Sequence, residues 1–262
     1  MTYFAFRRRG FLTRLPRVPS VVRKRYRAIF RLCERINRVS HRMLLDATVV
    51  AGKPLRLLGA LSFLRTIQAL QAGYILARAG LGQDCAVCLR TSFEALCVLR
   101  ACQVKPELAV AYMTSDEHEQ LKLANANITR LAAEESPDPD LLRHLQQAKV
   151  ELEASIAASK SKKVSIYEIA NAVDFGAVYD TMWRIVSKYA HISPRALEEF
   201  IAHGGDHITY GRDYREIQTH VTTIAEFSLL AQAELGRLFD MDAPDDHERL
   251  GGEFKALVAQ LQ

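Results

Sequence analysis

Apolar residues recur every three to four positions along most of the chain, which is the spacing of one face of an α-helix. Alternating β-branched residues are scarce, and the 13 glycines and 8 prolines are scattered. The chain has 262 residues, 49% of them hydrophobic, so it can bury a sizeable core. The pattern predicts an all-α fold with a basic helical extension at the N-terminus.

Glycine and proline divide this pattern into separate helices, because glycine ends a helix and proline starts one. Asp84 is a candidate cap for the third helix, and Ser165 for a short later one. We expect an arm over residues 1–18 and one helical domain over residues 19–262, with a loop at 134–139. The predicted helices span residues 20–50, 55–79, 84–103, 107–133, 140–161, 165–172, 176–191, 195–202 and 213–239, and a short helix follows an acidic turn at 240–248.

The N-terminal segment is strongly basic. Residues 1–45 hold 13 Arg and Lys side chains against Glu34 alone, a net charge of +12. The whole chain carries +5, so the remaining body carries −7 (5 − 12). A basic segment on an acidic body favours an anionic partner, either nucleic acid or a membrane surface.

Within the helix predicted at 20–50, basic residues recur at three- or four-residue steps and form a row roughly 27 Å long. Such a row can follow a phosphate backbone. A solvated surface that keeps the protein in solution is the ordinary alternative, and a helix lying on a membrane is a third, weakened by the lack of a bulky aromatic face. The candidate nucleic-acid-binding residues are Arg23, Lys24, Arg27, Arg31, Arg35, Arg38 and Arg42.

The first residues resemble two targeting signals. The Arg8-Arg9 pair matches a twin-arginine export signal, but no apolar segment follows it, so we reject export. The Arg-rich, acid-poor start also resembles an organelle transit peptide, which remains an alternative. Because no run of about 18 apolar residues follows, we expect a cytoplasmic protein.

The segment Val178–Pro194 concentrates the polar chemistry. At helical spacing, Asp180, Arg184, Ser187 and His191 share one column, with Lys188 at its edge. Pro194 limits the helix because proline disfavours helical backbone in the preceding residue. The opposite side is predicted to be an apolar stripe of Val178, Met182, Ile185, Val186 and Tyr189.

An arginine and a histidine on one surface suit phosphate chemistry. Histidine, with an ordinary pKa of roughly 6.5, takes and gives protons near neutral pH, and the arginine fork matches phosphate oxygens. Arg184 and His191 are therefore candidate catalytic residues for RNA. The structural alternative is an ordinary ion pair between Asp180 and Arg184, with His191 favoured at a helix C-terminus by the dipole.

The helix predicted at 84–103 holds a charged pair and four cysteines. Arg90 and Glu94 are i,i+4 partners in an otherwise apolar helix, so we expect them to be partly enclosed. Cys85 and Cys88 have metal-site spacing, but Cys97 and Cys102 do not complete a site, and we interpret all four as core residues.

Polar residues also cluster at 203–207 and at 116–119. The loop His203–His207 can bind a metal or a phosphate, although such loops are usually turns. The polar residues of 116–119 are expected to form a solvated surface.

The segment from Arg184 to His191, R-I-V-S-K-Y-A-H, resembles the R-x(4–6)-H signature of the HEPN superfamily of antiparallel helical bundles. The chain also resembles a bacterial family of unknown function related to those bundles. Arg90-Thr91-Ser92-Phe93-Glu94 and Ser187-Lys188-Tyr189-Ala190-His191 carry that resemblance, which would cover residues 55–240.

The resemblance implies a metal-independent endoribonuclease, active as a homodimer and often a toxin or phage-defence effector. It needs no cofactor, and its partners would be RNA and an antitoxin or defence-system protein. Arg184 would stabilise the phosphate transition state, and His191 would be a general acid or base. Asp180, Ser187, Lys188, Tyr189, Arg90 and Glu94 would support them. Ile185 departs from the polar residue that usually follows the arginine, which leaves a non-catalytic binding module as the alternative.

Overall fold

The computed structural model describes residues 20–48, 52–134, 136, 138–159, 162–191, 193–201, 214, 216–242 and 245–260. Its regular elements are helices, with no β-strand in these ranges, so the predicted all-α fold is confirmed. None of the helices in this part is both long and apolar enough to cross a bilayer. The arm predicted at 1–18 lies outside the described residues.

The helices follow one another with short connections. Three consecutive helical segments over residues 176–190 form one continuous element that we call the site helix. The elements are α1 (Ser20–Arg25), α2 (Arg27–Asp46), α3 (Pro54–Ala79), α4 (Gly82–Val104), α5 (Pro106–Ala132), α6 (Pro139–Ser159), α7 (Ile166–Ala172), α8 (Gly176–Val178), the π turn (Tyr179–Trp183), α9 (Arg184–Ala190), α10 (Pro194–Leu197), a 3-10 turn (Glu198–Phe200), α11 (Ile217–Phe239) and α12 (Asp245–Ala259).

Several predicted boundaries are correct because local signals set them. Pro106 opens α5 in its first turn, and Gly80 ends α3 in the left-handed conformation, at φ 80°. Ser165 caps α7: its hydroxyl accepts from the Glu168 amide, and the Glu168 side chain accepts from the Ser165 amide. This reciprocal capping box fixes the start of a helix only seven residues long.

Three predicted boundaries were wrong. The helix predicted at 20–50 is interrupted at Tyr26 and ends at Asp46. Tyr26 is buried and its hydroxyl donates to the Tyr214 carbonyl, a long-range contact that the local pattern does not contain. The third helix begins at Gly82, so Asp84 lies in its first turn instead of capping it. The acidic segment predicted as a turn at 240–248 already belongs to α12 from Asp245.

Helices α3, α4 and α11 form the centre of the core. They pack against one another, and α4 is buried around most of its circumference. Two glycines of α3 allow the close approach of α11. A Cβ at Gly59 would lie 2.2 Å from Leu238 Cδ2, and one at Gly73 would lie 2.8 Å from Ile224 Cδ1. Larger side chains at these positions would push α3 and α11 apart.

Helices α2 and α12 cover one side of this core, and a buried polar network ties them to α11. The Gln232 amide nitrogen donates to the Ile36 carbonyl at 3.1 Å and to the Ser40 hydroxyl at 2.8 Å. Its oxygen lies 2.9 Å from His247 Nδ1 on α12. Gln232 therefore joins three helices through one fully buried side chain.

Arg100 of α4 holds the chain at the point where it leaves α7 for the site helix. Its guanidinium donates to the Val173 carbonyl at 3.0 Å and to Glu234 of α11 at 2.7 Å. Asp174, the next residue, has a φ of 65°, a conformation that is costly for a residue other than glycine. The buried Arg100–Glu234 pair thus fixes the entry to the site helix.

The cysteines lie in the core, as predicted. Cys85, Cys97 and Cys102 are buried, Cys88 is half-buried, and all are free thiols. Burial raises the pKa of Cys33 and of Cys102 to about 12. These thiols are therefore protonated and unreactive at neutral pH.

Replacing Glu234 by Ala is expected to lower the free energy of unfolding by about 3 kcal/mol, because Glu234 is almost fully buried and is the carboxylate that both Arg100 and Arg237 pair with. The matched control is Glu134→Ala, which removes an exposed i,i+4 pair with Arg130 and should cost less than about 0.5 kcal/mol. Denaturant unfolding of both variants checks the prediction. Equal losses would contradict it.

Stability is expected to fall in acid through His247. Burial lowers the pKa of His247 below its ordinary value, so the unfolded chain binds the proton more tightly than the folded one. The contribution of neutral, buried His247 to the free energy of unfolding is complete above about pH 6.5, the pKa of the unfolded chain. It is lost as the pH falls from there towards the lowered pKa of the folded protein. Unfolding followed across this range should show a smaller slope for His247→Gln than for the parent, whereas His144→Gln, at an exposed position, should keep the parental slope.

Candidate functional site

The site helix contains a π-helical turn at Tyr179–Trp183, a feature that often marks functional sites. The turn stacks the ring of Tyr179 on that of Trp183, with centroids 4.3 Å apart and planes 15° apart. Val186 is buried and Ile185 is 59% exposed, but both line one cleft together with Met182 and Tyr189, so these four residues of the predicted stripe share one face.

Arg90 of α4 is the centre of the polar contacts on this helix. Its Nε donates to Glu94 Oε1 at 2.9 Å, and its guanidinium carbon lies 4.6 Å from the centroid of the Trp183 ring. Trp183 Nε1 donates to the same Glu94 oxygen at 2.9 Å. The predicted Arg90–Glu94 pair is therefore present, partly enclosed, and used to hold Trp183 in place.

His191 comes directly after the last residue of α9, and its backbone is extended, at φ −117° and ψ 137°. Its imidazole is exposed, and Nε2 lies 3.2 Å from Arg90 Nη1. A guanidinium can only donate, so Nε2 is the acceptor in this contact. The cation in contact with His191 is therefore Arg90 of another helix.

Arg184 lies one helical turn from Asp180, and its Nη2 is 3.1 Å from Asp180 Oδ1. Its side chain is 63% exposed. The predicted column is thus only partly formed: Asp180 and Arg184 pair as expected, but His191 has left the helix and turned to Arg90. Helical spacing fails here because the π turn precedes Arg184 and the helix ends before His191.

The three remaining supporting residues each contact another residue of the site helix or of α11. The Ser187 hydroxyl donates to the Trp183 carbonyl at 2.7 Å, which closes the turn after the π segment. Lys188 Nζ lies 4.5 Å from the centroid of the Tyr189 ring. Tyr189 packs edge-on against the buried His220 of α11.

Tyr179 lies within the electrostatic reach of both arginines. Burial raises the pKa of its phenol, while the positive charges of Arg184 and Arg90 act to lower that pKa. The charges of Arg184 and Arg90 therefore both act on one aromatic side chain.

A cleft of about 620 Å³ lies between the site helix and α11. The site helix contributes Thr181, Met182, Ile185 and Lys188 to its wall, and α11 contributes Thr219 and Thr223. The described residues lining it include neither Arg184 nor His191. The contact between His191 and Arg90 of α4 therefore lies outside this cleft.

The basic row on α1 and α2 is less available than the sequence predicts. Arg23, Lys24, Arg27, Arg31 and Arg38 are exposed. Arg35, in contrast, forms a two-bond ion pair with Glu253 of α12, and Arg42 lies 2.5 Å from Asp246. Arg35 and Arg42 thus already pair with the acidic helix α12, which packs on α2, and the nucleic-acid-binding role of the seven side chains stays a prediction.

One contact joins the basic helices to the region of the cleft. Tyr26, between α1 and α2, donates to the Tyr214 carbonyl at 3.0 Å. Tyr214 precedes Glu216, which lines the cleft. The N-terminal end of the basic row thus lies near the α11 side of the site helix.

Neither the loop at 203–207 nor the polar cluster at 116–119 adds a residue to this site. The loop His203–His207 lies outside the described residues. In the described part of the chain, no three His, Cys, Asp or Glu side chains are grouped so that they could hold a metal ion. In the polar cluster at 116–119, Glu119 pairs with Lys163 and Lys122, as expected of a solvated surface.

The fold and the site define a class of all-helical proteins with an arginine, a histidine and a stacked aromatic pair at one helix junction. The chain belongs to a family of unknown function (DUF5677), whose model matches residues 57–208, more than half of the chain. That range holds Arg90, Glu94, Trp183, Arg184 and His191 but leaves out the basic helices α1 and α2. No curated protein matches the chain significantly. No solved structure matches it significantly either.

Sequence reasoning missed two residues of this site, Tyr179 and Trp183. Trp183 is the sole tryptophan of the chain, and it directly precedes Arg184. A tryptophan among charged residues was a usable signal, because its indole N–H needs an acceptor when it is partly enclosed. Its acceptor, Glu94, is 89 residues away in the sequence.

Proposed function

We propose that the protein is a metal-independent endoribonuclease of the HEPN type, with His191 as general acid or base and Arg184 and Arg90 as the cations that bind the scissile phosphate. The contact that supports this best is the 3.2 Å approach of His191 Nε2 to Arg90 Nη1. It places a proton-transfer group beside a permanent cation at the protein surface, as cleavage of a phosphodiester requires.

In this reaction the ribose 2′-OH gives up its proton and its oxygen bonds to phosphorus. The bond from phosphorus to the 5′ oxygen breaks, and that oxygen takes a proton. His191 serves one of these two transfers. The guanidinium groups offset the charge that builds on the non-bridging oxygens, which is the largest contribution that such groups make to catalysis.

The remaining contacts support a phosphate site that is held ready. Glu94 accepts from Arg90 Nε and so orients the guanidinium, whose Nη1 faces His191. Asp180 holds Arg184, which is largely exposed and therefore free to exchange this carboxylate for a phosphate. Arginine suits both roles because its planar fork makes paired hydrogen bonds with either anion.

We further propose that the active form is a homodimer that brings two such sites together, and that the protein serves as a bacterial toxin or phage-defence effector. An antitoxin or another defence-system protein would then be its regulating partner. These proposals come from the resemblance of the Arg184–His191 segment and of the Arg90–Glu94 segment to the superfamily.

A second candidate is a non-catalytic module that binds RNA or a partner. One observation favours it: both catalytic candidates already have a partner, since Nε2 of His191 faces Arg90 and Arg184 pairs with Asp180. In such a module the exposed cations of α1 and α2 would carry the binding, and the protonation of His191 would not matter.

Cleavage of single-stranded RNA with chelator present is expected to fall by about 100- to 10,000-fold in His191→Ala, the usual contribution of a general acid or base. His144→Ala, at an exposed position on α6, is the matched control and should keep parental activity. RNA with 2′-O-methyl groups should resist cleavage, because it lacks the attacking hydroxyl. Equal activity of parent and His191→Ala would rule out the enzyme.

RNA binding is expected to depend on Arg31 and Arg38, the exposed cations of α2. Changing both to Gln should reduce the slope of log affinity against log salt by about 1.4, since each phosphate contact to a single strand contributes about 0.7. Arg35→Gln with Arg42→Gln is the matched double variant. It should change the slope less, because both side chains are held by α12. Equal changes would contradict this division of the helix.

A further inference from the structure

Three aromatic side chains form a surface beside the Arg90–His191 contact. We call Tyr167, Tyr179 and Trp183 the aromatic ledge. Tyr167 lies edge-on to Tyr179 with centroids 5.2 Å apart, and Tyr179 stacks on Trp183. Tyr167 is 45% exposed, and the other two are partly exposed. The ledge therefore offers ring surface to a ligand.

The ledge differs from the aromatic packing of the core. Phe93 also contacts two rings, those of Phe175 and Phe227, but Phe93 is fully buried and Phe227 nearly so. Core aromatic clusters hide their rings because burial of apolar surface is what stabilises them. Packing alone does not explain a cluster that ends in a half-exposed tyrosine.

Two permanently charged side chains, Arg90 and Arg184, lie beside the aromatic ledge. The guanidinium of Arg90 lies against the Trp183 ring, and Arg184 is close enough to Tyr179 to affect its phenol. Exposed aromatic rings beside cations are the two components of single-strand nucleic-acid sites, where the bases stack and the phosphates pair with the cations. Glu94 fixes the geometry, since it accepts from both Trp183 and Arg90.

We propose that the aromatic ledge is a base-binding subsite, on which an unpaired base of RNA stacks while an adjacent phosphate meets Arg90 and Arg184. This inference rests on the proposed function only in taking RNA as the ligand. It names the substrate class, because a base can reach the ring of Tyr167 or Tyr179 only when it is not paired and stacked in a duplex.

The full chain carries its own reporter, since Trp183 is its sole tryptophan and belongs to the ledge. The probe is a short single-stranded RNA with 2′-O-methyl groups, which binds without being cut. We expect saturable quenching of Trp183 fluorescence by this oligonucleotide. An abasic oligonucleotide of the same length keeps the phosphates but lacks the bases, and it should bind about tenfold more weakly and quench Trp183 less at saturation.

The matched variants are Tyr167→Ala and Tyr167→Phe. The alanine variant should lose about tenfold in affinity for the base-bearing oligonucleotide and nothing for the abasic one, because only the stacking surface is removed. The phenylalanine variant keeps a ring and should bind like the parent. Tyr167 is half exposed, so neither change disturbs the core.

Three results would overturn the subsite: equal binding of the base-bearing and abasic oligonucleotides, unchanged affinity in Tyr167→Ala, or preference for a duplex of the same sequence. Because the probe is uncleavable, these outcomes are independent of catalysis. Loss of the endoribonuclease proposal would appear instead as equal cleavage by the parent and His191→Ala.

Discussion

Burial of charge on α4 is the constraint on which the site depends. This helix packs against α3 on one side and α11 on another, so a charged side chain along it must find a partner or remain poorly solvated. Arg100 meets this requirement with Glu234 and the Val173 carbonyl, and Arg90 with Glu94. Both ion pairs also contact the segment that forms the site. Arg100 donates to the Val173 carbonyl, just before the site helix, and Glu94 accepts from Trp183 within it.

The site helix is therefore positioned from α4 by polar contacts, while its own apolar residues supply the packing. The π turn allows both, because it brings Trp183 to Glu94 and still buries Val186 three residues later. His191 follows the last residue of the helix, and its extended backbone places the imidazole against Arg90. In the resulting site both cations pair with carboxylates, Arg90 with Glu94 and Arg184 with Asp180.

The sequence predicted most of the fold because its signals are local. The 3.6-residue spacing of apolar positions defines the helices, and capping residues such as Ser165 and Gly80 define where they begin or end. The enclosed Arg90–Glu94 pair was predictable for the same reason, since its partners are one turn apart. The π turn was not, because nothing in the local pattern signals an added residue per turn. Contacts between distant segments were equally inaccessible: Arg90 and His191 are 101 residues apart, and Arg35 and Glu253 are 218 apart.

The contact between Arg35 and Glu253 covers part of the basic N-terminal segment. The sequence separates a basic N-terminal part from an acidic body, but the fold brings α12, with Asp246 and Glu253, onto α2. Arg42 in turn lowers the pKa of the Asp246 carboxyl, so the acid stays ionised beside it. The cations left uncovered are those towards α1 and the middle of α2. Tyr26 anchors that same end beside Tyr214, near the cleft on the site helix. Charge pairing with α12 thus occupies Arg35 and Arg42 and leaves Arg31 and Arg38 of the same helix exposed.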